Sequence, residues 1–498
     1  MIVPSSYILV LLSAVLVGVS QHNNYLGFLS WFGLVPFLSI IFKENNFFNL
    51  IKFGLFWGLV YHLIVVFWLA TNIGTTPFIA FVIMILTVFV LSLNTVFIVL
   101  IWYSIRKFIP SFSFIFFTIS WVVVEFIRSY GLLGFPWVSL ANSQTGYLYL
   151  IQNVEYVGIY GVSFWILLSN VLFYRIIFEK QDFKNIIFLI ILILPWFSGY
   201  IIINKYDENS FKSNETLETL IIQPNIGLVE KRDFDKKQFN MTSLIDSTLK
   251  NISTSTKLVI WPESAMPYQS IQNRSVRNFL NKNLFIKNFN LLTGNIIYTD
   301  SDYFNSSVLI NNQDILGIYN KRQLVPLAEH FPFSSTFKSL RKINIGQANF
   351  SKGDKDYVFD LDGYRFASLI CIESTFPEIN RRHANLDIDA IIYLVNDGWY
   401  LNNPEPLQHS RQSIFRAIEN RLPVIRCANT GISQIVNPLG VIENKIDLNK
   451  FGTMSYGIIK NNDEKTFYTK YGNVFSLVLL VLLLIVLFLS LINYKKNE

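Results

Sequence analysis

The sequence predicts a protein of two parts, a polytopic α-helical membrane domain and a polar α/β domain. The 498-residue chain is 52% hydrophobic and 15% charged, whereas a soluble enzyme carries about a quarter charged residues. The shortage of charge is local, because residues 1–204 hold few charged side chains and residues 205–470 have the composition of a soluble domain. We therefore expect membrane helices in 1–204, a soluble domain in 205–470, and a last membrane helix with a short tail in 471–498.

About eight segments are apolar enough to predict membrane helices, since a span needs roughly 20 apolar residues. Seven precede the polar domain and one follows it, at residues 6–20, 26–42, 51–71, 78–103, 112–127, 157–178, 186–203 and 473–493. The first lacks a basic leader and a small-residue cleavage site, which favours a helix over a signal peptide. Residues 128–156 are too polar for a plain span, and their aromatic side chains suggest an interfacial or re-entrant element that faces lipid.

Basic residues in the short loops predict the orientation of the spans. They fall in alternate loops and after the last span, at Lys43, Lys52, Arg106, Lys107, Arg175, Lys180, Lys184, Lys495 and Lys496. The positive-inside rule makes these loops cytoplasmic, and an odd number of spans then places 205–470 on the outer side. Arg128 is the main exception, and we expect it to pair with Glu125 three residues earlier on the same helix.

The net charge of +7 does not predict nucleic-acid binding, because the basic residues form no stripe with interleaved aromatics. In the polar domain, short strand-like runs alternate with amphipathic stretches, which predicts an α/β fold. Strands are expected at 217–223, 257–260, 290–295, 308–310, 315–319, 366–371, 390–395 and 424–427, and helices at 271–286 and 406–421. Ligands of such sheets bind at the ends of the strands.

Three reactive side chains follow predicted strands, namely Glu263, Lys321 and Cys371. A thiolate is both a good nucleophile and a tolerable leaving group, which acyl transfer through a covalent intermediate requires. A glutamate can take the thiol proton as general base. An ammonium can stabilise the oxyanion of a tetrahedral intermediate, together with the backbone N–H of Ile372. The pattern therefore predicts covalent acyl chemistry.

Three segments resemble the signatures of the nitrilase superfamily: Trp261-Pro262-Glu263, the segment around Lys321, and Cys371-Ile372-Glu373. Further segments resemble the apolipoprotein N-acyltransferase family of bacterial inner membranes. They are Gln223-Pro224-Asn225, Leu324-Val325-Pro326, Asn396-Asp397-Gly398-Trp399, Gln408-His409, Asn429-Thr430-Gly431, Gly134-Phe135-Pro136-Trp137 and Tyr160-Gly161. The chain departs from that family at Ile372, where an aromatic residue is frequent, at Leu327-Ala328, where Phe-Gly is common, and at 229–233, where a tryptophan is frequent.

The resemblance implies an αββα sandwich with a Glu263–Lys321–Cys371 triad. It implies supporting roles for Glu329 and Glu373, which would orient Lys321 and tune the charge of the site. Of the remaining polar-domain residues, Asn396 and Trp399 are expected to shape the substrate pocket.

The implied reaction moves a fatty acyl chain from a phospholipid, expected to be phosphatidylethanolamine, to the α-amino group of the S-diacylglyceryl-cysteine of an apolipoprotein. The Cys371 thioester would be the intermediate, without cofactor or metal. We expect a monomer in the bacterial inner membrane, with the catalytic domain on the periplasmic side.

The residues alone leave alternatives open. A disulfide between Cys371 and Cys427, the two cysteines of the chain, would remove the nucleophile. The same triad would serve a membrane-tethered amidase that uses water as second nucleophile, and a transporter or sensor would need no triad. His330 and His409 invite an acid–base or metal role, but their spacing does not resemble a metal site.

Overall fold

The computed structural model describes residues 4–131, 133–179, 183–206, 213, 215–266, 268–331, 349–400, 404–461 and 464–496, with the side chains of 183–189 and 493–496 left out. It divides into two compact units. The first comprises Met1–Thr71, Thr76–Lys205 and Tyr471–Glu498, and the second comprises Asn72–Thr75 and Tyr206–Lys470. Lys180, one of the residues that predict orientation, lies outside the described residues.

The first unit is helical. Its α-helices are α1 (Pro4–Ser20), α2 (Val35–Ile41), α3 (Phe47–Val66), α4 (Pro77–Arg106), α5 (Ser113–Ile127), α6 (Leu148–Ile151), α7 (Val154–Phe178), α8 (Phe183–Asn204) and the C-terminal α15 (Val474–Lys496). Six segments of the described chain are long and apolar enough to cross a membrane: Asn24–Ile41, Phe47–Thr71, Pro77–Arg106, Pro110–Ile127, Val154–Phe178 and Val474–Ile492. The first and seventh predicted spans fall on shorter apolar helices, Ser5–Ser20 and Ile190–Asn204. The predicted polytopic helical domain is confirmed. The number of membrane spans among the described residues is six, or eight if the two shorter helices also cross the membrane.

Part of the segment after α5 differs from the expected lipid-facing element, although Tyr130 and Leu133 at its start are exposed. Two short 3-10 helices, Pro136–Val138 and Leu140–Gln144, are buried within the unit instead. The Gln144 amide donates to the Gly27 carbonyl at 3.0 Å, and the Trp31 indole donates to the Gln144 side chain at 2.8 Å. Irregular backbone is tolerated at membrane depth when protein groups satisfy it, which explains the burial.

Glu125 does not pair with Arg128 as expected. Its carboxylate accepts hydrogen bonds from four other donors: the Trp121 indole at 3.2 Å, the Leu140 N–H at 3.0 Å, and the Ser139 and Ser163 hydroxyls at 2.7 Å each. These donors satisfy both carboxylate oxygens, so the carboxylate ties α5 to α7 and to the buried turn between them. The interpretation as an ion pair three residues apart is therefore wrong.

The second unit is the predicted α/β domain, with two six-stranded sheets. The strands are β1 (Leu217–Gln223), β2 (Leu258–Ile260), β3 (Asn290–Tyr298), β4 (Tyr303–Ile310), β5 (Ile315–Asn320), β6 (Phe359–Leu361), β7 (Tyr364–Ile370), β8 (Ala390–Val395), β9 (Val424–Ala428), β10 (Ser433–Val436), β11 (Ile442–Ile446) and β12 (Gly452–Ile458). One sheet has the order β12-β1-β2-β3-β4-β5, and the other has the order β11-β10-β9-β8-β7-β6. The central pairs β1–β2, β2–β3, β7–β8 and β8–β9 are parallel.

Helices cover both sheets. They are α9 (Leu228–Arg232), α10 (Lys237–Asn251), α11 (Arg274–Asn283), α12 (Pro377–Ala384), α13 (Glu405–Asn420) and α14 (Phe467–Tyr471). Apolar side chains of α10 and α11 join the core of the first sheet, whereas α13 packs on β9 and β10 of the second.

The two sheets face each other, since the Ser307 and Ser368 hydroxyls meet at 2.6 Å and the Cys427 thiol contacts the Ile222 carbonyl. The predicted αββα sandwich is therefore confirmed.

Candidate active site

The three predicted reactive residues lie just beyond strand ends of the second unit. Glu263 follows β2 of one sheet, and Cys371 directly follows β7 of the other. Both strands pair in parallel with their neighbours, which leaves their carboxyl ends at an edge where polar side chains can gather. Lys321 directly follows β5, and its N–H donates to the Asn305 carbonyl of β4 at 2.9 Å.

Lys321 lies between two buried carboxylates. Its Nζ donates to Glu329 Oε1 at 2.8 Å and lies 3.7 Å from Glu263 Oε1. Burial alone would lower the pKa of the Lys321 ammonium, but the charges of Glu329 and Glu263 outweigh burial and raise it. Lys321 is therefore a fixed cation. A buried charge is tolerated only where it is paired in this way.

Asn305 joins the two carboxylates. Its Nδ2 donates to Glu263 Oε1 at 2.7 Å and to Glu329 Oε1 at 3.1 Å. The other oxygen of Glu329 accepts from the Val325 N–H at 2.9 Å. Sequence reasoning missed Asn305, because an asparagine within a strand carries no signal of its own.

Glu263 keeps one carboxylate oxygen unused. Its Oε2 is buried and has no hydrogen-bond partner among the residues that the structure describes. Burial raises the pKa of Glu263, Lys321 opposes the rise, and the like charge of Glu329 adds to it. A carboxylate with a raised pKa and an idle oxygen is suited to accept a proton.

Cys371 adopts a left-handed backbone conformation, with φ of 52°. Such a conformation costs a non-glycine residue about 1–3 kcal/mol and is concentrated at functional sites. The residue is half-buried and opens the 3-10 helix Cys371–Thr375, whose next residue is Ile372. Burial, and after it the charge of Glu263, raises the pKa of the Cys371 thiol well above its ordinary value, with Lys321 opposing. The thiol therefore needs a base to become a nucleophile.

Cys371 and Cys427 are both free thiols, so the alternative of a disulfide is wrong. Cys427 lies within β9 and is fully buried, with its Sγ 3.4 Å from the Ile222 carbonyl and 3.5 Å from the Ile260 carbonyl. It is a core residue of the contact between the sheets.

Glu373 connects the lysine loop to the cysteine turn. One of its oxygens accepts from the Tyr319 hydroxyl at 2.8 Å and from the N–H groups of Arg322 and Gln323 at 2.7 and 3.0 Å. The other accepts from the Ile370 N–H at 2.8 Å. Burial raises the pKa of Glu373, and the hydrogen bond from Ile370 opposes the rise. The bonds fix the relative position of the segments that carry Lys321 and Cys371.

Two side chains contact the backbone carbonyl of Cys371. The Ser374 hydroxyl donates to it at 3.0 Å, and His409 Nε2 lies 3.1 Å from it. His409 Nδ1 lies 2.8 Å from Asp397, whose other oxygen accepts from Arg426 at 2.7 Å. Burial would raise the pKa of Asp397, but Arg426 and His409 outweigh burial and lower it. Arg426 was missed from the sequence, because a buried strand arginine resembles any other.

Among the described residues, Asp397, Glu405 and His409 bring three possible metal-ligand atoms within 4.8 Å of one another. Arg426 already supplies a positive charge to Asp397, and the His409 imidazole reaches the Cys371 carbonyl and the Ser374 hydroxyl. These contacts give Asp397 and His409 a structural use without an ion. His330, the other histidine considered, pairs with Pro326 in an isolated β-bridge.

The predicted pocket residues differ in their contacts. Asn396 is buried and accepts from the Asn429 side chain at 3.2 Å, which favours a structural use. The Trp399 carbonyl accepts from the Ile73 N–H at 2.9 Å, and the Arg232 guanidinium lies 5.0 Å from the centre of the Trp399 ring. A cation over an indole ring is attracted to it. The roles of these residues, like those of the triad, stay predictions.

Comparisons with known proteins agree with both units. The family model described as carbon-nitrogen hydrolase matches residues 221–458, and that of the apolipoprotein N-acyltransferase N-terminal domain matches residues 13–172. An apolipoprotein N-acyltransferase of Geobacter metallireducens is 27% identical over 493 residues, which cover 94% of this chain and 92% of that protein. One of Rickettsia bellii is 28% identical over 481 residues, covering 92% and 91%.

A solved structure of Saccharomyces cerevisiae Nit3, described as a member of branch 10 of the nitrilase superfamily, is 20% identical to the matched part of this chain. It covers 49% of this chain and 90% of its own, with a TM-score of 0.37.

The paired sheets and the cysteine, lysine and carboxylates at their edge define a carbon-nitrogen hydrolase domain, here joined to an apolar helical unit. Because the two matching models describe these two parts in this order, the chain belongs to the apolipoprotein N-acyltransferase family.

Proposed function

We propose that this protein transfers a fatty acyl chain from a membrane phospholipid to the N-terminal amino group of a diacylated apolipoprotein, through a thioester on Cys371. The observation that carries the proposal is the buried Oε2 of Glu263, which has no hydrogen-bond partner among the described residues. The Lys321 ammonium lies in the same site. Membership of the family supplies the class of acceptor, since the relatives are named apolipoprotein N-acyltransferases.

In the first half-reaction, Glu263 takes the proton of the Cys371 thiol, and the thiolate attacks an ester carbonyl of the phospholipid. The oxyanion that forms is stabilised by the Lys321 ammonium and the Ile372 N–H. Collapse of this intermediate breaks the ester C–O bond. The departing alkoxide takes the proton from Glu263 and leaves as a lysophospholipid, and Cys371 carries the acyl chain as a thioester.

In the second half-reaction, the neutral α-amino group of the acceptor cysteine attacks the thioester carbonyl. Glu263 takes a proton from the attacking nitrogen, and the second intermediate collapses to an amide and the Cys371 thiolate. The proton then returns from Glu263 to sulfur. The two half-reactions together restore the enzyme without a cofactor, and the two substrates react in turn, so the kinetics are ping-pong.

The membrane supplies both substrates in this proposal. Phosphatidylethanolamine is the proposed donor, and an S-diacylglyceryl-cysteine is the proposed acceptor. The alternation of basic loops supports an inner-membrane protein with its second unit on the periplasmic side. A monomer is sufficient, because Glu263, Lys321 and Cys371 come from one chain.

The test is intact-mass analysis of the full-length protein incubated with phosphatidylethanolamine and then with a diacylated lipopeptide. We expect a fatty-acyl adduct that hydroxylamine releases, that persists in water, and that the lipopeptide discharges. Cys371→Ala should form no adduct, whereas Cys427→Ala, the matched control, should still form one. Rapid loss of the adduct to water without a lipopeptide would favour an amidase-type hydrolase, and adduct formation by Cys371→Ala would reject the mechanism.

A further inference from the structure

Among the described residues of the second unit, the proposed chemistry leaves one buried amine unused, that of Lys231. The residue lies on α9, where its side chain and that of Leu228, three residues earlier, point to the same side and are both buried. Only 3% of Lys231 is exposed. Lysine is almost never buried to this degree unless a partner pairs with it. The partners of Lys231 therefore indicate what its burial serves.

The partner of Lys231 is the main chain of the proposed general base. Its Nζ donates to the Glu263 carbonyl at 3.2 Å. The position of α9 is fixed on both sides of this contact. The Asn240 side chain donates to the Glu230 carbonyl at 3.1 Å, and the Asn429 side chain donates to the Ile226 carbonyl at 2.8 Å. These two hydrogen bonds therefore hold α9 in the position from which the Lys231 amine contacts Glu263.

The Glu263 backbone is also constrained from the side of β3. A Cβ at Gly294 would lie 2.6 Å from the Glu263 Cα, so only glycine permits this approach. The Gly294 N–H donates to the Pro262 carbonyl at 3.3 Å. The next residue, Ser264, has φ of 52°, a conformation that a serine adopts at a cost. Lys231 and Gly294 thus both hold the backbone of the turn from Pro262 to Ser264.

The charge of Lys231 is coupled to that of Glu263. Burial lowers the pKa of Lys231 to about 8, and Glu263 and then Cys427 oppose the change. These are the titratable groups that face the amine. Cys427 carries no charge near neutral pH, because burial raises the pKa of its thiol. In turn, the ammonium of Lys231 acts against the rise in the pKa of Glu263.

We propose that Lys231 is a positioning residue for catalysis: it fixes the main chain of Glu263 and, as a cation, keeps the Glu263 carboxylate ionised near neutral pH. Lys321 has the larger effect on Glu263, but its charge is shared with Glu329 at 2.8 Å. With Lys231 included, two ammonium groups face the Glu263 and Glu329 carboxylates. The inference rests on the proposed role of Glu263 as base.

Three substitutions separate the two parts of this role. Lys231→Met removes charge and donor, Lys231→Gln keeps a donor without charge, and Lys231→Arg keeps the charge. Lys236→Met is the matched control, because Lys236 is an exposed lysine of the same segment whose contact is with Glu230 at 3.6 Å.

The measurement is the rate at which iodoacetamide alkylates Cys371 in the full-length protein as a function of pH, with Cys427→Ala as background. Proton transfer to Glu263 requires its ionised form, so the rate falls at acid pH. We expect Lys231→Met and Lys231→Gln to move this acid limb upward by about one pH unit, the effect of losing a nearby opposite charge. Lys231→Arg and Lys236→Met should leave the limb in place.

An unmoved acid limb in both Lys231→Met and Lys231→Gln would overturn the inference. A shift in Lys231→Met alone would reject the part played by charge and leave only the hydrogen bond. If Lys231→Met fails to fold, Lys231→Gln, which keeps the donor, decides the outcome. Failure of the proposed function has a different signature: the wild-type protein would then form no acyl adduct on Cys371, whatever the variants do.

Discussion

Two buried glutamates, one in each unit, differ in the number of hydrogen-bond donors that meet a structural carboxylate and the proposed catalytic one. Glu125 in the helical unit accepts from Trp121, Ser139, Leu140 and Ser163, which engage both of its oxygens. Glu263 in the sandwich engages only Oε1 and keeps Oε2 buried without a partner in the described chain. Four donors therefore hold the Glu125 carboxylate in place, whereas burial raises the pKa of Glu263 and favours its protonated form.

The largest effect is expected from Glu263→Gln. A glutamine keeps the shape and the contact with Asn305 but cannot take the thiol proton. The rate of acyl-thioester formation should fall by about 10²–10⁴-fold, the usual contribution of a general base. Single-turnover mass spectrometry with phosphatidylethanolamine measures this rate. A wild-type rate in Glu263→Gln would remove the distinction between the two carboxylates.

Lys321→Met should have the next largest effect. It removes the cation 2.8 Å from Glu329 and 3.7 Å from Glu263, and with it the proposed oxyanion donor. Loss of one such donor costs about 3–4 kcal/mol of transition-state stabilisation. The same single-turnover assay should therefore show a decrease of roughly 10²–10³-fold. Lys236→Met, on an exposed lysine, is the control and should keep the wild-type rate.

The pH dependence sharpens the comparison. Glu263 must be ionised to accept a proton, and burial raises its pKa. The rate should therefore fall as the pH drops through that raised value, at a higher pH than the value of about 4.3 for an ordinary glutamic acid. Thioester formation measured across pH 4–8 locates this acid limb, and a limb at or below the ordinary value would contradict the raised pKa.

Substitution of the two glutamates should affect the stability of the fold in the reverse order, with the larger loss in Glu125→Gln. Glu125→Gln replaces one acceptor oxygen by an amide NH₂, which cannot accept from the two donors that meet it, and should lower the free energy of unfolding by about 1–3 kcal/mol. Glu263→Gln should cost little or stabilise the fold. The raised pKa of Glu263 favours its neutral form when folded, so ionising it as pH rises costs stability.

Thermal unfolding of both variants at pH 7, in the same detergent, measures this difference. Glu263→Gln serves as the control for Glu125→Gln, and an equal loss in both would reject the idea that Glu125 is the structural carboxylate.

The sequence predicted the positions of the proposed catalytic residues better than those of the residues that contact them. Glu263 and Cys371 each follow an apolar strand that pairs in parallel with its neighbour, and parallel strands carry such residues to one edge. Lys321 follows β5, which pairs antiparallel with β4. Asn305 and Arg426 could not be found in this way, because their importance comes from partners on other strands. The donors of Glu125 illustrate the same limit. Ser139 and Ser163 lie 14 and 38 residues further along the chain, whereas helical spacing predicts only Arg128 as a partner of Glu125.

The fold shows a similar division. Most of the predicted strands are buried apolar runs, such as β8, all of whose residues are buried. Strand β11 was missed, because four of its five residues are exposed and it has no alternation to reveal it. The left-handed conformation of Cys371 was also beyond prediction, since it depends on bonds that close only in the folded domain.

The smallest effect is expected from Ser374→Ala. The Cys371 carbonyl would lose the hydroxyl at 3.0 Å but keep His409 at 3.1 Å. Loss of one ordinary hydrogen bond costs about 1 kcal/mol, so thioester formation should slow by about fivefold and the acid limb should not move. Ser247→Ala, on an exposed face of α10, is the matched control. A decrease beyond a hundredfold would mean that the hydroxyl takes part in proton transfer, and Glu263 would then no longer be the sole base of the site.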